Sequence, residues 1–157
     1  MASILGIDTI QHQSGTTAMT IDSTGRVLTP ARPAFHADSS THEGSGSYFF
    51  TNFTTSGIGK FNQGGHLELS TGIFTVPIAG VYQFGFVFRD TANTTGRKIG
   101  RIYLNNTDFE VAENDGIYSD IGGSVTYLLS ANDTVRLATH PAGDQFGAVR
   151  FSGFLVG

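Results

Sequence analysis

The stretch Thr71–Phe88, TGIFTVPIAGVYQFGFVF, sets Tyr82, Phe84, Phe86 and Phe88 at alternate positions. Period-two alternation belongs to a β-strand, whose successive side chains point to opposite faces of a sheet. The segment GVYQFGFVFRD is therefore expected to be the longest strand of the chain. Ahead of it, IFTV forms a short strand that stops at Pro77. Two destinations suit four rings on one strand face: the core of the chain's own sandwich, or a contact with another chain.

The surrounding sequence extends the β pattern. From Arg32 onward, RPAFHAD reads as a first strand and SSTHEGSGS as a loop, while YFFTNF fits either a strand or an aromatic-rich loop. GHLELS alternates, with Leu67 and Leu69 on one side. RKIGRIYLN and TDFEVAE join through Asn105-Asn106 as a hairpin, and SVTYLLS and DTVRLATH as another about Ala131-Asn132. FGAVRFSGFLV closes the chain. About ten strands separated by short turns predict an all-β sandwich or jelly roll. Residues 1–31 stand apart: TTAMTID-STG-RVLTP reads as a small hairpin, followed by Pro30 and Pro33. The expected division is thus an N-terminal arm, residues 1–31, and a globular head, residues 32–157.

Composition narrows the function classes. The chain has 157 residues, enough for one domain with a sizeable core. It carries 9 basic and 13 acidic residues, net −4, with no basic cluster, so nucleic acid is not an expected partner. Cysteine is absent, which excludes disulfides and thiolate metal sites. No apolar run approaches the roughly 20 residues of a membrane helix, so membrane insertion is not expected. MASILGIDTIQHQSG lacks the basic start and apolar stretch of a signal peptide.

Several words of the sequence, in order, resemble the globular head of the complement C1q and tumour-necrosis-factor-like family. Asn62, Leu67, Phe74, Gly80, Tyr82, Phe84 and Phe86 fall at the family's spacing, whereas Ser56 stands where the family has a first Phe. SVTYLLSANDTVRL is similar to the family's paired strands, with Asn132-Asp133 in place of Gly-Asp. FSGFLV, with Phe151, Gly153 and Phe154, looks like its closing strand. The resemblance spans about residues 32–157. It implies a ten-strand jelly roll that assembles as a homotrimer, one sheet of each subunit facing the threefold axis. The motif residues would then lie in the core or at the trimer interface, with the Tyr82–Phe88 strand expected to serve both. SGTTAMTIDSTGRV is similar to segments that precede such heads in appendage proteins of tailed bacteriophages, and no collagen-type Gly-x-y run is present.

Catalytic constellations are not visible. His12, His36, His42, His66 and His140 form no metal-protease spacing, although His36 and His42 flank ADSST. GSGSYF lacks the last Gly of a nucleophile elbow, and GIGKF has Phe61 where a phosphate loop needs Ser or Thr. Glu113, Asp115 and Asp120, with Asn114, offer oxygen ligands of the type calcium takes, and some family heads bind calcium. A solvated acidic loop is the preferred reading of them, so no cofactor is expected. Asn52, Asn93, Asn105 and Asn132 match the glycosylation pattern, which matters only in a glycosylating compartment. Two polar loops are candidate ligand surfaces, one holding His42 and Glu43 and the other Asn93 and Thr94.

These readings describe a non-enzymatic, homotrimeric, C1q-like virion surface protein of a bacteriophage, presenting its head for host-surface binding at a fibre or appendage tip. Its expected partners are itself, other virion proteins through residues 1–31, and a host cell-surface glycan or protein. It would be made in the host cytoplasm and end on the virion surface. The alternative is a capsid decoration protein anchored by the arm, and below it ranks a free secreted lectin-like binding protein.

Overall fold

The structure, a computed structural model, describes residues 6–43, 48–90, 98–114, 120–139 and 146–157. The chain divides into two compact units, Met1–Arg32 and Pro33–Gly157. The described residues form strands, turns and bends with no helix.

The first unit is a three-stranded antiparallel sheet of β1 (Thr9–Gln11), β2 (Thr17–Ile21) and β3 (Val27–Leu28), with β2 in the middle. The expected hairpin is the β2–β3 pair, to which β1 adds an edge. Asp22 organises its turn. The carboxylate accepts hydrogen bonds from the Thr24 hydroxyl at 2.7 Å, the Thr24 amide at 2.9 Å and the Arg26 amide at 3.0 Å, and pairs with the Arg26 guanidinium at 2.7 Å. Gly25 supplies the positive φ, 81°, that the reversal needs.

The second unit is a sandwich of two antiparallel sheets. One has the order β13-β10-β15-β4-β7, built from β4 (Ala34–Ser39), β7 (Phe61–Gln63), β10 (Gly80–Asp90), β13 (Ile121–Leu129) and β15 (Phe146–Leu155). The other runs β12-β11-β14-β6-β5, from β5 (Thr41–Glu43), β6 (Tyr48–Thr51), β11 (Lys98–Leu104), β12 (Thr107–Asn114) and β14 (Thr134–Thr139). The short β8 (Leu67–Glu68) and β9 (Ile73–Thr75) join it through the β9–β14 pair. The described residues of this unit thus hold twelve strands where ten were expected, and segments of two or three residues account for the excess.

One expected pairing is corrected. SVTYLLS and DTVRLATH do not form a hairpin: β13 pairs with β10, while β14 pairs with β11, β6 and β9 in the opposite sheet. The link between them is an arch. Asn132 takes a left-handed φ of 73°, and Asp133 accepts the Ser130 amide at 2.8 Å. Val76 then clamps the arch, its carbonyl accepting from the Asn132 amide and its amide donating to the Asp133 carbonyl. The Asn105-Asn106 turn does form its hairpin, β11 with β12, with φ of 50° and 66° at the two Asn.

The core lies between the sheets and is aromatic. Tyr82, Phe84, Phe86 and Phe88 all point into it, none more than 4% exposed. They meet rings from other strands: Phe74 stands 5.6 Å from Phe84, Phe35 4.9 Å from Phe151, and Phe50 5.0 Å from Phe88. Rings at such separations add edge-to-face and offset-stacking attraction to simple burial. Glycines make the room. A Cβ on Gly153 would sit 2.6 Å from both Phe35 and Phe84, and one on Gly100 would sit 2.4 Å from Phe86.

Candidate interaction faces of the head

The family-pattern residues are distributed by this geometry. Leu67, Phe74, Tyr82, Phe84, Phe86 and Phe151 are buried in the sandwich. The Tyr82 hydroxyl donates to the Ile78 carbonyl at 2.8 Å, and burial raises its pKa. Asn62 closes the β7–β8 turn: its amide nitrogen donates to the Leu67 carbonyl at 2.8 Å and its oxygen accepts the Leu67 amide. Gly80 opens β10 where a Cβ would press on Leu155 at 2.7 Å. Phe154 alone of the set faces outward, 46% exposed. All four alternating rings therefore serve the monomer's own core, and the part of β10 left for another chain is the opposite face.

That opposite face belongs to the whole five-stranded sheet. Cross-strand partners share a face, so the register gives its rows. Leu128 lies beside Val81, which is bonded in turn to Val156. Thr126, Gln83, Phe154 and Ala34 follow, then Ser124, Gly85, Ser152, His36 and Phe61. The next row is Gly122, Val87, Arg150 and Asp38. Leu128 is 82% exposed, and Val87, Phe61 and Phe154 are each 46% exposed. The face therefore grades from apolar at the Leu128 end, through small residues, to charged at the Arg150 end.

Two adjoining hollows occupy the small and charged rows. A shallow one of about 360 Å³ is lined by His36, Gly85, Val87, Arg150 and Ser152. A cleft of about 240 Å³ is lined by Asp38, Val87, Arg89, Asp120 and Arg150. Asp38 pairs with Lys60 at 2.9 Å and lies 3.9 Å from Arg150. The Asp38–Lys60 contact, with the Asp38–Thr54 bridge, pins the segment ahead of Asn62, where Ser56 replaces the family's Phe.

The outer face of the seven-stranded sheet carries a second cluster. The Arg136 guanidinium lies 4.0 Å above the Phe49 ring and donates to the Thr71 carbonyl at 2.9 Å, and Phe49 meets Tyr103 edge-on at 4.8 Å. Sequence reading did not single out this cluster or Leu128. Phe49, Tyr103 and Arg136 each adjoin a buried residue in sequence, Phe50, Ile102 and Val135, but the three lie on strands remote from one another along the chain.

Among the described residues, the remaining candidates are not assembled into a site. Glu113 is exposed near the end of β12, and Asp120 is exposed just before β13 and lines the smaller cleft. Asp115 lies outside the described residues. Among the described residues no group of three or more His, Asp or Glu is placed to hold a metal. His42 and Glu43, expected on a loop, are instead backbone positions of the strand β5, paired with Phe50 and Phe49. Asn93, Thr94 and His140 lie outside the described residues.

Comparison with known proteins gives the family and supports the fold. The sequence model of the C1q domain matches residues 34–156. The hibernation-associated plasma protein HP-25 of Tamias sibiricus is 32% identical over 85 residues, covering 54% of this chain and 39% of that protein. The chain thus spans well under half the length of that relative. The globular domain of the zebrafish complement 1qA protein superposes with a TM-score of 0.60 at 18% identity, covering 80% of this chain and 98% of that domain. Murine APRIL superposes with a TM-score of 0.58 at 12% identity, covering 79% of this chain and 99% of that one.

Proposed function

The chain belongs to the C1q domain family, and from that premise we propose that it is the subunit of a homotrimeric, non-enzymatic binding protein. The outward face of the five-stranded sheet is the subunit interface. The observation that carries this reading is the apolar end of that face, where Leu128, Phe154 and Val156 are exposed. Fully burying a large apolar side chain stabilises by roughly 1.5–3 kcal/mol, so covering several per subunit favours assembly. The graded face also suits a threefold contact, because its charged end holds both signs, with Asp38 and Asp120 near Arg89 and Arg150.

The setting we propose is the surface of a bacteriophage virion, with the polar segments that hold His42 and Glu43, on the edge strand β5, and Asn93 and Thr94 contacting a host glycan or protein. Residues 1–31 attach the head to the particle, at an appendage tip or as a capsid decoration. Its support is the separate N-terminal unit and the likeness of SGTTAMTIDSTGRV to phage appendage segments. The match to a plasma protein favours a second reading, a free secreted binding protein. Immunogold electron microscopy of source particles, with antibody to residues 33–157, distinguishes them. Label on appendage tips supports host binding, label over the capsid supports decoration, and unlabelled particles leave the secreted protein.

A further inference from the structure

The N-terminal unit exposes an apolar sheet face of its own. Ile10 is the partner of Met19 on β2, and Ile21 is the partner of Val27 on β3. Met19 and Ile21 are two residues apart on one strand, so all four side chains share one face. The other face carries the Thr9, Thr20 and Leu28 row. Ile10 is 45% exposed, Ile21 36% and Val27 57%, and no described side chain of Gly6–Arg32 is buried. A three-stranded sheet of this size needs its apolar face covered to be stable in water.

We propose that the cover is the same unit from the other two copies. Three N-terminal sheets pack about the threefold axis, each contributing Ile10, Met19, Ile21 and Val27 to a shared dry interior. The result is a short three-chain β stem. Two features of the chain favour this occupant. The unit joins the head through a short connection: only five residues, 29–33, separate the end of β3 at Leu28 from the start of β4 at Ala34. As β4 belongs to the sheet that carries the proposed subunit face, trimeric heads would tether three such sheets at high effective concentration. The four apolar positions are uncharged, and the charge that the register sets beside them is Asp8, across from Ile21 at the end of the face, while Asp22 and Arg26 in the adjacent turn neutralise each other at 2.7 Å. This inference rests on the trimeric reading of the head.

The chain has no cysteine, which makes single-cysteine cross-linking of the full chain a clean test. Val27→Cys places a thiol on the apolar face and Thr20→Cys places one on the other. Each variant is sedimented to establish its mass and then treated with a short bifunctional maleimide. A trimer that cross-links between subunits at Val27→Cys and several-fold less at Thr20→Cys is the expected result. A trimer with equal or no cross-linking at Val27→Cys overturns the stem and leaves the trimeric head standing. A monomer overturns both. Hydrogen exchange gives a second reading on the full-length trimer. The stem requires the β2 amides to be protected in the unaltered chain and to lose that protection in Ile21→Asp. Protection unchanged in Ile21→Asp would also overturn the stem.

Discussion

Gly153 shows how single residues set this core. It stands on β15 opposite Phe84, and the two rings flanking it leave no room for a methyl group. Gly153→Ala should overpack the core and cost about 1–3 kcal/mol, read as a lowered urea midpoint. Gly6→Ala, with nothing within 4 Å of its Cβ, should leave the midpoint unmoved. Asp22 makes a different prediction. Hydrogen bonds from the Thr24 hydroxyl and then the Arg26 amide and side chain lower its pKa from 3.8 to about 2. A depressed folded pKa means the turn's stabilisation is complete above 3.8 and is lost as pH falls from there towards 2. The side-chain carboxyl signal of Asp22 should titrate near 2, and exchange of the β2–β3 turn amides should quicken across that window. A midpoint near 3.8 would show the carboxylate unengaged. Asn62 was legible in the sequence only as a pattern position. Its role in bridging to both backbone groups of Leu67 needed the folded turn to be seen.

The strands differ in how much of their role could be read locally. β10 was legible from alternation alone, because its rings all face one side and period two is a property of the strand itself. Which side those rings face was not, since that depends on the sheet stacked against it. The β13–β14 segment was misread as a hairpin for the same reason. A turn such as Ser130–Asp133 with a left-handed Asn serves a hairpin or an arch equally well. What decides is that β13 finds β10 and β14 finds β11, partners tens of residues away. The outward edge of β13 carries the next prediction. Leu128→Asp places a charge at the most exposed apolar position of the sheet. Leu128 projects away from the core, so the monomer should keep its β-sheet circular dichroism while assembly weakens by tenfold or more. Loss of the sheet signal itself would mean that Leu128 supports the subunit fold.

At the scale of the molecule, an aromatic sandwich satisfies its own rings and leaves a graded face on the other side of the same sheet. The family pattern was visible in the sequence because most of its positions are core positions, such as Phe74, Tyr82, Phe84, Phe86 and Phe151. The proposed interface was not visible, because Leu128, Phe154, Phe61 and Val87 come from four strands and share no local motif. The same separation explains why loop residues remain proposals: polar loops carry no periodicity that fixes a site. The central claim is that this face closes a trimer, and the mass of the full chain in solution tests it most directly. Sedimentation equilibrium of the unaltered protein should give three times the 16.7 kDa of one chain, holding on dilution through the micromolar range. A mass of one chain at those concentrations would contradict the account.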